Sequence, residues 1–207
     1  MSVVVTDVRV VDPANPDAKA LARAAAVLRD GGLVAFPTET FYGLGAAACD
    51  PSAVHRVFRV KGRDAGKPLL VLVDSIAMAE RVAELTPPAR ALMARHWPGA
   101  LTLVLRARPG VPSELMAGTG TIGVRLSPHP VARALVRALG SPLTAPSANL
   151  ADAAPPTTAA AVLAAFDGAV DLVLDGGATA GGPPSTVVDV TSDASRVLRQ
   201  GAVLLCA

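Results

Sequence analysis

"TIGVRL" (residues 121–126) alternates strictly between two kinds of residue. Successive strand side chains point to opposite faces, so Ile122, Val124 and Leu126 form one apolar face. Thr121, Gly123 and Arg125 form the other. Such alternation marks a strand with one face in a core. Gly123 has no side chain, which leaves room for a ligand beside Arg125. The polar face is therefore a candidate anion seat; an arginine on a solvent-facing strand is the alternative.

Working outward, strand-like and helix-like patterns alternate along the chain. Strands are expected at 33–36, 69–73, 101–107, 171–175 and 186–190, with a short apolar one before "APSAN" (145–149). The spacing of Ala18, Leu21, Ala25 and Leu28 predicts a helix from 18 that stops at Gly31. A second opens with Asp50 as N-cap and Pro51 at its first position. Further helices are expected near 75–84, 87–96, 129–140 and 157–168. No repeat or linker interrupts the pattern. The reading is one α/β domain over residues 1–207 with a mostly buried sheet. Two stretches lack periodicity, 110–120 and the glycine- and proline-rich 176–185. The second suits a closing loop over a ligand or a plain connection.

Composition narrows the function classes. Hydrophobic residues are 51% and charged residues 17%, enough for a sizeable core and against disorder. Aromatics are 3%, which disfavours base stacking as a main activity. A net charge of +2 gives no nucleic-acid-binding tail, but permits a local basic cleft. Cys49 and Cys206 read as unpaired thiols in a reducing compartment. His55, His96 and His129 are scattered, and no metal-ligand spacing occurs. The N-terminus has neither a basic start nor a long apolar stretch, and no apolar run reaches about 18 residues. The expected location is cytoplasmic.

The polar stretches share one theme. "FPTETFYGLG" (36–45) ends a strand and crowds Thr38, Glu39, Thr40 and Tyr42 between glycines; it reads as a ligand-facing or ordinary turn. "KGRDAGKPL" (61–69) places Lys61, Arg63 and Lys67 within seven positions. Three cations on a glycine-containing loop suit a polyphosphate, although Lys61 also suits a helix C-terminus. The glycines do not follow the Walker pattern. "APSAN" contributes Ser147 and Asn149, as ligand contacts or as a turn or N-cap. Ser185, Thr186 and Arg199 fall near the ends of late strands. Hydroxyls, glycines and cations at strand ends are what an anionic nucleotide and a small polar molecule need.

Taken together, "PTETFYGLG", "KGRDAGKPL", "WPGALTLVL", "TIGVRL", "APSANL", "STVVD" and "LRQG" closely resemble the YrdC-type L-threonylcarbamoyladenylate synthases. The seven stretches keep the family's order and span roughly residues 17–201. The resemblance implies a single α/β (α+β) domain with a twisted mixed sheet and a deep basic cavity. It implies that threonine, bicarbonate and ATP give threonylcarbamoyl-AMP and pyrophosphate. The product feeds a tRNA threonylcarbamoyltransferase machinery that modifies adenosine 37. Position by position, it implies threonine contacts at Thr40, Arg125 and Ser185. It implies ATP contacts at Lys61, Arg63, Lys67, Thr121, Ser147, Asn149 and Arg199, with Lys61 and Arg63 as the catalytic cations. Mg2+ would come with ATP, without dedicated protein ligands.

Two positions depart from the family pattern: Leu72 stands where some members carry histidine, and Gln200 where proline is common. The chemistry brings three anions together, so positioning and positive charge would carry most of the catalysis. The rival reading is a double-stranded-RNA or tRNA-binding module using the same basic cavity. It would show a steep salt dependence and no need for threonine. A carbamoyl-transfer accessory domain is a third reading.

Overall fold

The computed structural model describes residues 5–64 and 66–205. Its elements are β1 (Asp7–Val10), α1 (Ala18–Arg29), β2 (Val34–Pro37), β3 (Tyr42–Gly45), α2 (Pro51–Lys61), β4 (Leu70–Leu72), α3 (Ile76–Val82), α4 (Pro87–His96), β5 (Leu101–Arg106), α5 (Ser113–Met116), β6 (Thr121–Arg125), α6 (Pro130–Leu139), β7 (Leu143–Thr144), α7 (Ala159–Phe166), β8 (Leu172–Asp175), β9 (Thr186–Asp189) and β10 (Arg196–Arg199). Cys206 lies outside the described residues; Cys49 is free and exposed.

Local chemistry sets the helix starts. Asp17 accepts from the Ala20 N–H at 3.0 Å and Asp50 from the Ser52 N–H at 2.9 Å. Asp17 thus satisfies one orphan amide of its first turn and Asp50, which also accepts from the Ala53 N–H at 3.3 Å, two. Gly62 ends α2 in the left-handed conformation, with φ of 58°.

The strands divide into two mixed sheets, ordered β1-β8-β2-β3 and β10-β9-β5-β6-β4-β7. The mixed α/β character follows the sequence reading; the division in two does not. Its cause lies between β3 and β7. Leu44 and Ala48 donate to the carbonyls of Pro146 and Pro142, but those prolines have no N–H to return. The Ala46 N–H goes to the Thr144 hydroxyl. Thr144 and Ala148 still donate to the carbonyls of Ala46 and Tyr42, so the pairing across the seam is reduced to isolated bridges at Gly43–Ser147 and Ala47–Leu143.

The larger sheet has one apolar face. Leu103, Leu105, Ile122, Val124 and Val188 are fully or almost fully buried there. Each such side chain contributes about 1.5–3 kcal/mol. Its other face carries Leu70, Thr102, Val104, Gly123, Val187 and Asp189, held side by side by the pairs Thr102–Val187, Val104–Asp189 and Leu70–Gly123. That face lines a cavity.

Two expectations are corrected. Residues 42–45, read as part of a turn, form β3. Glycine is a poor strand former. A Cβ at Gly45 would stand 2.9 Å from both Leu143 Cδ1 and Phe36 Cε1, so close packing requires glycine there. Lys61, read as the start of a loop, is the last residue of α2.

Candidate active site

The cavity has a volume of about 600 Å³ and opens beside the seam between the sheets. Of the expected site residues, it brings together Thr40, Arg63, Thr121, Arg125, Ser147, Ser185 and Arg199. Lys61, Lys67 and Asn149 are not on its wall.

Arg125 ends β6 and is only 4% exposed. The alternation of 121–126 holds, but the polar face turns into the cavity rather than to solvent. The Arg125 Nε has no hydrogen-bond partner. One Nη lies 3.5 Å from Glu39 Oε1, an oxygen that itself has no partner. Burial pushes the guanidinium pKa down, and Glu39 pushes it back up. A buried cation with unfilled donors is costly, by several kcal/mol per ion in a dry site. An anionic ligand would fill those donors.

Two more arginines face the same space. Arg199 donates to the Ser185 carbonyl through Nε at 3.2 Å and an Nη at 2.8 Å, and that Nη reaches the Ser185 hydroxyl at 3.3 Å. Its pKa is lowered by burial and by the nearby Arg125 charge. Arg63 donates to the Pro68 carbonyl at 3.1 Å and leaves its Nε unpartnered. Burial lowers its pKa, against a raising effect of Asp64.

Lys61 acts from behind. It is 3% exposed, and its Nζ donates to the main-chain carbonyls of Ser147 and Asn149. It thus ties the end of α2 to the segment that carries Ser147. Burial, with the Arg63 charge second, pulls its pKa down to about 8. Asn149 Nδ2 closes the same segment with bonds of 2.8 Å to the Leu150 and Ala153 carbonyls. Lys67 is exposed.

The hydroxyls are held by one another. Thr40 is 3.2 Å from Thr38, Thr121 2.9 Å from Thr119, and Ser185 2.9 Å from Thr102, oxygen to oxygen. The 176–185 segment is tied to the site floor. Gly181 donates to the Thr40 carbonyl at 2.8 Å, and the Tyr42 hydroxyl to the Gly177 carbonyl at 2.7 Å. Burial and Asp175 push the Tyr42 phenol up to about 12, so it stays neutral.

The sequence reading missed Thr102 and Asp189 on the wall, and named Glu39 without a role. The alternation in "LTLVLRA" could have placed Thr102 opposite Leu101 and Leu103. Among the described residues Asp189 is the one carboxylate on the wall, and it accepts from both the Thr191 N–H and hydroxyl. Among the described residues, no group of three or more His, Cys, Asp or Glu could hold a metal ion. No helix among them is long and apolar enough to cross a membrane.

Known proteins share this architecture. The threonylcarbamoyl-AMP synthase of Bacillus subtilis is 42% identical over 198 residues, which cover 95% of this chain and 57% of that protein. The enzyme of the same name from Thiobacillus denitrificans is 42% identical over 178 residues, covering 84% of this chain and 92% of that one. A crystal structure of Pyrococcus abyssi Sua5 complexed with L-threonine superposes with a TM-score of 0.91 at 41% identity, covering 95% of this chain and 58% of that one. The chain thus spans little more than half the length of the Bacillus and Pyrococcus proteins. The family model Sua5/YciO/YrdC, described as telomere recombination, matches residues 26–201. A match across most of the chain, with the fold and the sequence in agreement, means that the chain belongs to the Sua5/YciO/YrdC family.

Proposed function

We propose that the protein is an L-threonylcarbamoyladenylate synthase, converting threonine, bicarbonate and ATP into threonylcarbamoyl-AMP, pyrophosphate and water. The observation that carries this reading is Arg125: buried, short of acceptors, and facing a cavity shared with Arg63 and Arg199. A carboxylate with two acceptor oxygens matches its planar fork.

In this reading Arg125 holds the threonine carboxylate, with Thr40 and Ser185 as further threonine contacts. Arg63, Thr121, Ser147 and Arg199 face the triphosphate and nucleotide. Arg63 offsets charge on the phosphates directly. Lys61 contributes its positive charge from the second layer and fixes Ser147; Asn149 shapes the same segment, and Lys67 stands at the exposed rim. The threonine amine attacks the bicarbonate carbon; a C–O bond of bicarbonate breaks, its oxygen leaves as water with the proton the amine gives up, and an N-carboxylate remains. That carboxylate attacks the α-phosphorus, and pyrophosphate leaves. The residues present supply orientation and positive charge, the two largest contributions available to such a transfer. The Mg2+ complex of ATP enters as substrate; the wall carboxylate Asp189 has Oδ1 bonded to Thr191 and Oδ2 3.5 Å from Arg196.

The product would pass to a tRNA threonylcarbamoyltransferase machinery. An RNA groove needs cations that phosphates can reach from solvent, and Arg125 at 4% exposure does not offer that. The test is pyrophosphate release from ATP. It should require both threonine and bicarbonate; release that ignores threonine would refute the reading.

A further inference from the structure

Glu39 stands behind Arg125 rather than on the cavity wall. Its two oxygens are used differently. Oε2 accepts the Ser127 hydroxyl, and the Ser127 oxygen in turn accepts the His129 N–H at 3.1 Å. This chain fixes the carboxylate. Oε1 takes no hydrogen bond, yet sits 3.5 Å from the Arg125 guanidinium. The other titratable neighbour is His129, a partly buried imidazole whose Nδ1 has no partner and whose pKa is held down by burial against Glu39. Glu39 therefore compensates the charge of Arg125 without occupying its donors.

We infer that Glu39 is a positioning residue, a resident counter-ion that keeps Arg125 charged and in place while the site is empty and that the incoming substrate carboxylate takes over from. The inference rests on the proposed threonine reading. Its consequence is counter-intuitive. The empty site depends on Glu39 more than the filled site does, because a bound carboxylate supplies the same compensation. Removing only the Glu39 charge leaves Arg125 uncompensated in the free protein, a costly state for a buried ion. Ligand binding relieves that cost. By linkage, the variant binds a carboxylate ligand more tightly than the wild type does. A purely structural glutamate would, when lost, weaken binding or leave it alone.

Calorimetric titration with threonine and with threoninamide, which lacks the carboxylate, tests this. Glu39→Gln keeps the side-chain shape and an acceptor for Ser127. Its threonine dissociation constant is expected to fall about tenfold, with no gain for threoninamide. An unchanged or weaker threonine affinity would overturn the inference, and so would an equal gain for both ligands. Wild-type protein that binds no threonine would instead overturn the threonine reading, and the inference with it. If Glu39→Gln does not fold, the double variant Glu39→Gln/Arg125→Met decides. A melting temperature restored by removing both charges supports the counter-ion role, and a double variant that is equally unfolded contradicts it.

Discussion

Arg199 grips Ser185 by its main-chain carbonyl, with Nε and an Nη both donating to the one oxygen at 3.2 and 2.8 Å. This links β10 to the start of β9. It also aims the Ser185 hydroxyl, which meets Thr102 at 2.9 Å on β5. Charge-assisted bonds of this kind contribute about 1.5–3 kcal/mol. Arg199→Ala should therefore raise the Michaelis constants for both threonine and ATP, each by about tenfold or more. Steady-state kinetics with each substrate varied checks this. An effect on ATP alone would mean that Ser185 keeps its place without Arg199.

Lys61 gives a pH signature. Burial lowers its pKa to about 8, so the charged form is present below that value and is lost above it. ATP affinity should be highest below about pH 8 and weaken as pH rises through it. Lys61→Met should remove that step and bind ATP weakly throughout. The linkage also has a sign for stability. The folded pKa lies below the unfolded value of 10.5, so the unfolded chain holds more protons between about 8 and 10.5. This group's burial penalty is fully felt below about pH 8 and is relieved as pH rises. Calorimetric ATP titrations from pH 6.5 to 9.5 would read the binding step.

Gly45 tests the seam. A Cβ there would meet Leu143 and Phe36 at 2.9 Å and the Val34 carbonyl at 3.1 Å. Overpacking of this kind costs about 1–3 kcal/mol. For a chain of this size, Gly45→Ala should lower the melting temperature by several degrees. An unchanged melting temperature would mean that β3 and β7 can separate freely.

These cases show what could be read from the chain. The alternation of Ile122, Val124 and Leu126 against Thr121, Gly123 and Arg125 separated Arg125 from the apolar face, because strand geometry is local; that its face lines a cavity is seen only in the fold. Asp50 and Pro51 marked the start of α2 for the same reason. β3 was hidden because its glycines answer to Phe36 and Leu143, the latter about a hundred residues away. Lys61 looked like a free loop cation because its partners, the carbonyls of Ser147 and Asn149, have no signature in sequence. Glu39 was visible as a residue but not as a counter-ion, since only folding brings it to Arg125. The division into two sheets depends on Pro142 and Pro146 facing β3, a register that periodicity does not encode.

The central claim is that Arg125 holds the threonine carboxylate. Lysine at this position would keep the charge but lose the planar fork. The most direct measurement is steady-state kinetics of Arg125→Lys with threonine and ATP varied in turn. The account predicts a threonine Michaelis constant raised about ten- to hundred-fold, matching the loss of about 1.5–3 kcal/mol for a charged hydrogen bond, with ATP dependence nearly unchanged. A shift in ATP dependence with threonine dependence intact would contradict it.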